Sequence, residues 1–174
     1  MGYPANWERT GRTRDGVEFH IRPIRADDEG LDRQFIAELS PESRYMRMMS
    51  AIKDIPEELM YRFVHVDYLR NMAFVALAGE PPAERVIGVA RYCADSTGSD
   101  AEFAVAVSDQ WQARGVGATL TKLLFEYATV RGIHRLHGDV FTGNARMLDL
   151  VHFLGMQTHI CADDQALTEA ECPL

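Results

Sequence analysis

The stretch of sequence that decides the fold is AEFAVAVSDQWQARGVGA, residues Ala101–Ala118. Its first part predicts a short strand over Ala101–Val107, which carries one carboxylate, Glu102. The glycine-rich end of the stretch predicts a turn that leads into a helix. Because the first turn of this helix contains no acidic side chain, its backbone N–H groups are open to an anion from outside the chain. The stretch therefore predicts a phosphate-bearing cofactor beside a proton-transfer group.

The segments on either side of this stretch predict further strands and helices. Alternating or apolar runs predict strands over Val17–Ile24, Asn71–Ala78, Val86–Tyr92, Arg135–Val140 and Met156–Cys161. Apolar residues at helical spacing predict helices over Asp27–Leu39, Pro56–Val66 and Gly115–Val130, and another from an Asn144 cap to Leu154. Ser40–Ser43 is typical of a turn or of a new helix start. Residues 162–174 are weakly patterned and leave room for a short final edge strand.

The order of these elements predicts the fold class. Two short loops, Gly79–Ala83 and Asp95–Asp100, join three consecutive strands as an antiparallel meander. The strand–helix–strand unit that follows requires one parallel pair. We therefore expect an α/β (α+β) fold with a mixed, mostly antiparallel central sheet of six to seven strands and helices on both faces. Residues 1–16, polar and rich in arginine and glycine, are predicted to form a flexible N-terminal arm, and residues 17–174 a single domain.

Composition and charge exclude several classes of partner. The chain of 174 residues has a net charge of −8 and no basic block, which disfavours nucleic-acid binding. No apolar run approaches the roughly 20 residues of a membrane span, so no membrane partner is expected. Three widely spaced cysteines and an N-terminus without a signal-peptide pattern favour a cytoplasmic location. No metal is predicted, because a strand would place His134 and His137 on opposite faces.

The segment Gln112–Ala118, QARGVGA, fits the pattern Q/R-x-x-G-x-G/A. Gly115 and Gly117 let the backbone turn tightly and approach a ligand without a Cβ in the way. Successive N–H groups then point at the oxygens of a pyrophosphate. The segment is neither a Walker A loop nor the G-x-G-x-x-G fingerprint of dinucleotide-binding proteins. A plain structural turn is the alternative interpretation.

Glu102 is the candidate base. By strand alternation it shares a face with Ala104 and Ala106, whose small side chains leave room for a ligand. The alternative is that Glu102 is an ordinary solvent-facing residue of the strand. Spacing alone leaves both interpretations open.

Together these motifs resemble the GNAT superfamily of acyl-CoA-dependent N-acetyltransferases. QARGVG matches the pyrophosphate-binding loop of that family, and Asn144 with Gly155-Met156 resembles its second cofactor motif. More narrowly, the chain is similar to the acetyltransferase domain of bacterial Pat-type protein lysine acetyltransferases. The similar stretches are IRPIRADD, LSPESRYMRM, VDYLRNMAFVA, IGVARY, AEFAVAVSDQWQARGVG and GNARMLDLVHFLGM.

The resemblance implies a cofactor, a set of binding residues and an acceptor. Acetyl-CoA, without a metal, is expected in a cleft where the sheet splays. The cofactor-binding residues implied are Val105 and Val107 in the strand, Gln112, Arg114, Gly115, Val116, Gly117 and Ala118 in the loop and helix start, and Asn144. The acceptor implied is an amine, either a protein lysine or a small molecule, recognised by loops around Ser40–Asp54. A monomer or a homodimer is expected.

The resemblance also strengthens the assignment of Glu102 as the base that deprotonates the amine. Many family members place a tyrosine seven residues after the asparagine, where it protonates the departing thiolate, and this chain has Val151 there. No general acid is assigned. Two alternatives therefore remain beside a protein lysine acetyltransferase: a small-amine acetyltransferase, acting for example on a polyamine or an aminoglycoside, and a non-catalytic acyl-CoA sensor.

Overall fold

The computed structural model describes residues 2–51 and 54–174, and Met1, Ile52 and Lys53 lie outside the described residues. The strands are β1 (Arg9–Arg12), β2 (Glu18–Pro23), β3 (Asn71–Ala78), β4 (Arg85–Ala94), β5 (Asp100–Val107), β6 (Arg135–Phe141), β7 (Gln157–Ile160) and β8 (Leu167–Pro173). The helices are α1 (Glu29–Glu38), α2 (Pro41–Met48), α3 (Glu57–Val64), α4 (Val116–Val130) and α5 (Ala145–Phe153).

All eight strands described belong to one open sheet with the order β1-β2-β3-β4-β5-β6-β8-β7. Every neighbouring pair is antiparallel except β5 and β6, which run parallel. The predicted mixed, mostly antiparallel sheet is therefore confirmed. The count exceeds the expected six to seven because the ends of the chain contribute β1 and a full-length β8.

The flexible arm predicted for residues 1–16 is wrong for the part that forms β1. This strand pairs antiparallel with β2, and Trp7 just before it packs edge-on against Tyr127, with ring centroids 4.9 Å apart. The ring of Phe19 lies over Gly11, where a Cβ would come within 2.4 Å of a ring atom. The glycine that made this segment look loose is thus required for close packing.

The final strand is also not the sheet edge that the sequence left room for. β8 lies between β6 and β7, antiparallel to both, and β7 forms the edge. The hydrophobic pattern of β8 is weak because its buried positions hold the small residues Thr168 and Ala170, which alternate with acidic residues. One of these acids, Glu171, pairs with Arg135 of β6 at 2.8 Å.

The parallel pair at the centre of the sheet is very short. β5 and β6 pair only where Asp100–Glu102 faces Arg135–His137, and after these residues the two strands separate. Gly138 follows at the fork, where a Cβ would lie 2.8 Å from the carbonyl oxygen of Phe103. The absent side chain lets the strands meet closely before they diverge, so the sheet opens into a V.

Helices cover both faces of the sheet and fix the position of the fork. On one face, α4 buries Val116, Leu120, Leu124 and Tyr127. On the other face, α1 and α3 bury Phe35, Ile36, Met60 and Val64 against β3 and β4. In the described part of the chain, no helix has the length and apolar character needed to cross a bilayer.

Candidate active site

The fork between β5 and β6 opens into a cleft of about 960 Å³. Its floor is formed by the separating strands. Its walls are formed by the starts of α4 and α5, by α2, and by Arg14 from the turn between β1 and β2. Glu102, Gly117 and Asn144, which are far apart in the sequence, all line this cleft.

The start of α4 presents free backbone donors to the cleft. Gly115, with φ of +96°, is the N-cap; it makes no side-chain cap, and the first turn contains no acid. The first intrahelical bond runs from the N–H of Thr119 to the carbonyl of Gly115. The N–H groups of the first three helical residues are therefore left for a ligand. At Gly117 a Cβ would lie 3.3 Å from Cγ2 of Val107, so a side chain there would crowd the floor of the cleft.

The loop residues before α4 have divided roles. Nε2 of Gln112 donates to the carbonyl of Val107 at 3.0 Å and to Oγ of Ser43 at 3.1 Å, which ties the loop to β5 and α2. The side chain of Arg114 is not brought into the cleft, because it pairs with Asp15 at 2.7 Å. The side chain of Val116 is fully buried in the core, so this residue offers the cleft only its backbone N–H.

The other predicted contacts lie along the two strands and at α5. Val105 and Val107 line the cleft from β5. Asn144 caps α5, and its Oδ1 accepts from the N–H of Met147 at 3.2 Å. Because the cap uses only the oxygen, the amide nitrogen of Asn144 stays available as a donor.

The position where many family members carry a tyrosine is closed. Val151 is fully buried. His152 faces away from the cleft lining and contacts Oγ1 of Thr158 at 3.0 Å. The hydroxyl of Tyr127 is occupied, since it donates to the carbonyl of Tyr68 at 2.7 Å.

Glu102 is exposed on β5 and lines the cleft. Within the described residues its carboxylate has no hydrogen-bond or ion-pair partner. Arg47 on α2 also lines the cleft and interacts electrostatically with Glu102. Burial and then Arg91 lower the pKa of Arg47 to about 10, although Asp32 and Glu102 oppose this shift. Arg47 therefore stays charged at neutral pH, on the side of the cleft opposite α4.

A buried cluster of charged residues lies beneath the side of the cleft opposite α4. The side chain of Asp32 is 1% exposed and pairs with Nη2 of Arg91 at 3.6 Å. Neither carboxylate oxygen has a hydrogen bond among the described residues, and burial raises the pKa of Asp32. The guanidinium of Arg91 lies 4.2 Å from the ring centroid of Phe63 and donates to its carbonyl. The sequence did not predict this cluster, because Asp32, Arg47, Phe63 and Arg91 come from four different elements, α1, α2, α3 and β4.

Helix α2 forms one wall of the cleft. The ring of Tyr45 stacks on Phe141 at the end of β6, with centroids 5.2 Å apart and planes within 8°. Asp109, which follows β5, accepts hydrogen bonds from Ser40 and Ser43 at the start of α2. Although partial burial opposes it, these bonds lower the pKa of Asp109. Part of the predicted acceptor region Ser40–Asp54 is thus fixed beside the cleft, while two of its residues lie outside the described ranges.

Comparison with known proteins gives consistent matches. A model of the Acetyltransferase (GNAT) family matches residues 35–156. Acetyltransferase PA5475 of Pseudomonas aeruginosa is 35% identical over 150 residues, which are 86% of this chain and 81% of that protein. Acetyltransferase Pat of Mycolicibacterium smegmatis is 31% identical over 145 residues, which are 83% of this chain and 43% of Pat. The crystal structure of the GNAT domain of S. lividans PAT superposes with a TM-score of 0.91 at 28% identity, covering 99% of this chain and 100% of that one.

Proposed function

The chain belongs to the GNAT family of acetyltransferases, and from this premise we propose that it acetylates lysine side chains of proteins, with acetyl-CoA as donor and Glu102 as general base. One observation carries the proposal. The uncapped start of α4 and the carboxylate of Glu102 line the same cleft, at the fork of β5 and β6. A helix start suited to an anion and an accessible carboxylate in one cleft support transfer from a phosphate-bearing donor to an amine.

The start of α4 is the part that would hold the cofactor. Its free N–H groups and the positive end of the helix dipole favour the diphosphate of coenzyme A. The backbone of β5 at Val105 and Val107 and the amide nitrogen of Asn144 would contact the pantetheine arm, and all three residues line the cleft. When bound, acetyl-CoA supplies an activated acetyl group, whose C–S bond breaks as the new C–N bond forms.

Glu102 would remove the proton that prevents attack. A lysine amine has an ordinary pKa near 10.4, so only about 0.04% of it is neutral at pH 7. A carboxylate that is exposed in the cleft and engaged by no partner in the described chain is free to accept this proton, directly or through a water. The amine nitrogen then attacks as a neutral nucleophile.

The surface beside the cleft supports a protein acceptor. Tyr45 on α2 and Met49 just after it expose 44% and 37% of their surface. Tyrosine and methionine are enriched where proteins contact one another. The similarity to the GNAT domain of S. lividans PAT points the same way. We place the reaction in the cytoplasm, because all three cysteines are free thiols.

The proposal is tested by Glu102→Gln with labelled acetyl-CoA. We expect turnover on protein lysines to fall by about 10²- to 10⁴-fold, the usual contribution of a general base. The remaining rate should rise about tenfold per pH unit below the pKa of the amine, because solvent must then supply the neutral form. Glu126→Gln is the matched control, since Glu126 is exposed on α4 away from the cleft.

Three outcomes would contradict parts of the proposal. If Glu102→Gln keeps its turnover within a few-fold of the control while binding coenzyme A normally, Glu102 is not the base. If the purified protein labels polyamines or aminoglycosides but no protein of a lysate, the acceptor is a small amine. If it binds coenzyme A and transfers acetyl to neither class, it acts as a sensor.

A further inference from the structure

The turn between β1 and β2 is docked against the loop that precedes α4. Thr13 closes the turn: its N–H donates to the carbonyl of Val17 at 2.9 Å, and its Oγ1 accepts from the N–H of Val17 at 2.9 Å. Gly16, with φ of +90°, completes the reversal. Thr13 is 4% exposed, so the turn is anchored in the body of the protein. Its tip, Arg14 and Asp15, projects toward the start of α4.

Two contacts fix this tip to Arg114. The N–H of Arg14 donates to the carbonyl of Arg114 at 3.0 Å. The carboxylate of Asp15 accepts two hydrogen bonds from the guanidinium of Arg114, at 2.7 and 3.1 Å. Hydrogen bonding from Arg114, followed by that from Thr13, lowers the pKa of Asp15 to about 2. Asp15 is therefore ionised at neutral pH and balances the charge of Arg114 within the protein.

Arg14 stands in the opposite situation. Its side chain lines the cleft, and its Cγ lies 3.9 Å from the position that a Cβ would take at Gly115. In residues 2–51 and 54–174 its guanidinium has no carboxylate or carbonyl partner. An exposed cation thus lies beside the free N–H groups at the start of α4. Unbalanced charge at this place suits a polyanionic ligand.

We propose that Arg14 binds a phosphate group of coenzyme A, and that the Asp15–Arg114 ion pair positions the turn that carries it. The inference rests on the proposed function only in requiring that the cleft binds coenzyme A. It assigns the cationic phosphate contact to the N-terminal hairpin rather than to Arg114 of the glycine-rich loop. The matching chemistry is that of a diphosphate or a 3′-phosphate, both of which coenzyme A carries.

The test is calorimetric titration of coenzyme A into the full chain and four variants. Arg14→Gln should weaken binding by roughly 5- to 20-fold, as expected for one exposed charge-assisted contact. Arg12→Gln is the control, because Arg12 lies in the same hairpin but pairs with Glu18 at 2.6 Å; it should bind as the wild type does. Arg114→Gln should weaken binding less than Arg14→Gln does. The dissociation constant of Arg14→Gln should also depend less steeply on salt.

Dephospho-CoA, which lacks the 3′-phosphate, identifies the group that is bound. If Arg14→Gln weakens both ligands equally, Arg14 binds the diphosphate; if it weakens only coenzyme A, Arg14 binds the 3′-phosphate. Either result supports the inference. Equal affinities of Arg14→Gln and Arg12→Gln for coenzyme A would overturn it, and Arg14→Lys should recover part of the affinity. A wild-type chain that binds no coenzyme A would instead refute the proposed function.

Discussion

The two sides of the cleft present different chemical groups: backbone N–H donors on one side and long side chains on the other. On the side of α4, the working groups are backbone N–H donors exposed by glycines and by the absence of acids. On the side of α1, α2 and α3, the surface rests on long side chains, with a buried carboxylate and two arginines beneath it. Backbone donors bind a phosphate whatever the acceptor is, whereas side chains can be exchanged to suit one acceptor. The difference suggests that cofactor binding and acceptor choice are separable in this protein.

The largest effect should come from a change on the α4 side. Gly117→Glu places a Cβ 3.3 Å from Cγ2 of Val107 and 3.4 Å from Cδ2 of Leu150, and adds a negative charge where a phosphate is expected. Affinity for coenzyme A should fall by more than about 100-fold, since both the space and the sign of the charge become wrong. Isothermal titration measures this loss.

The control for this change is Gly30→Glu. Gly30 lies on α1 with no atom within 4 Å of an added Cβ, so the same charge is introduced without crowding. Its affinity for coenzyme A should match that of the wild type. Equal affinities for the two glutamate variants would show that the cofactor binds elsewhere.

An intermediate effect is expected on the other side of the cleft. Arg91→Gln removes the cation paired with buried Asp32, which should lower the free energy of unfolding by about 3 kcal/mol, measured by urea denaturation. Arg85→Gln is the matched control, because its pair with Glu38 at 2.9 Å is exposed and should contribute less than about 1 kcal/mol. Equal unfolding midpoints for the two variants would show that the buried charge cluster does not stabilise the protein more than an exposed ion pair does.

The pH dependence of Arg91→Gln sharpens this prediction. Burial raises the pKa of Asp32 in the folded protein, so the folded state holds this proton more strongly than the unfolded state does. The contribution of Asp32 to stability is therefore full below the ordinary pKa of about 3.9 and is lost as the pH rises through the raised value. Because Arg91 lowers the pKa of Asp32, its removal should raise that pKa further, and the loss of stability with rising pH should extend to higher pH than in the wild type. A parallel pH profile would contradict this sign.

The smallest effect concerns the contact that joins α2 to the end of β6. The rings of Tyr45 of α2 and Phe141 of β6 stack with their centroids 5.2 Å apart. A double-mutant cycle of Tyr45→Ala and Phe141→Ala should give a coupling free energy of about 0.5 to 1.5 kcal/mol. Phe153→Ala replaces Phe141→Ala in the control cycle, because Phe153 lines the cleft from α5 without this stack. Additive effects in both cycles would show that α2 is not held in this way.

The same contrast explains what the sequence could and could not predict. The helix start at Gly115 and Gly117 and the cap at Asn144 can be predicted from the local sequence. A helix start without acidic residues, or a helix cap, is defined by residues that are neighbours in the chain. The strand–helix–strand unit likewise predicted the single parallel pair. These features place the α4 side and the fork of the sheet, together with Glu102 on β5.

The features that the sequence did not show depend on long-range contacts. In the sequence Gly11 is typical of a flexible segment, whereas in the fold the ring of Phe19 packs over it. Asp32 and Arg91 each resemble ordinary surface charges until α1 folds over β4. Arg14 was missed for the same reason, since only the docking of the β1–β2 turn brings it to the cleft. Tertiary contacts of this kind leave no periodic or spaced signal in one sequence.

Amide hydrogen exchange at the start of α4 tests the central claim most directly. With saturating coenzyme A, exchange of the N–H groups of Val116, Gly117 and Ala118 should slow by at least about tenfold, because each becomes a donor to the ligand. The amides at the start of α3, which also lacks a side-chain cap, should be unaffected. Unchanged exchange at all three α4 residues, under conditions where calorimetry shows coenzyme A bound, would contradict the account.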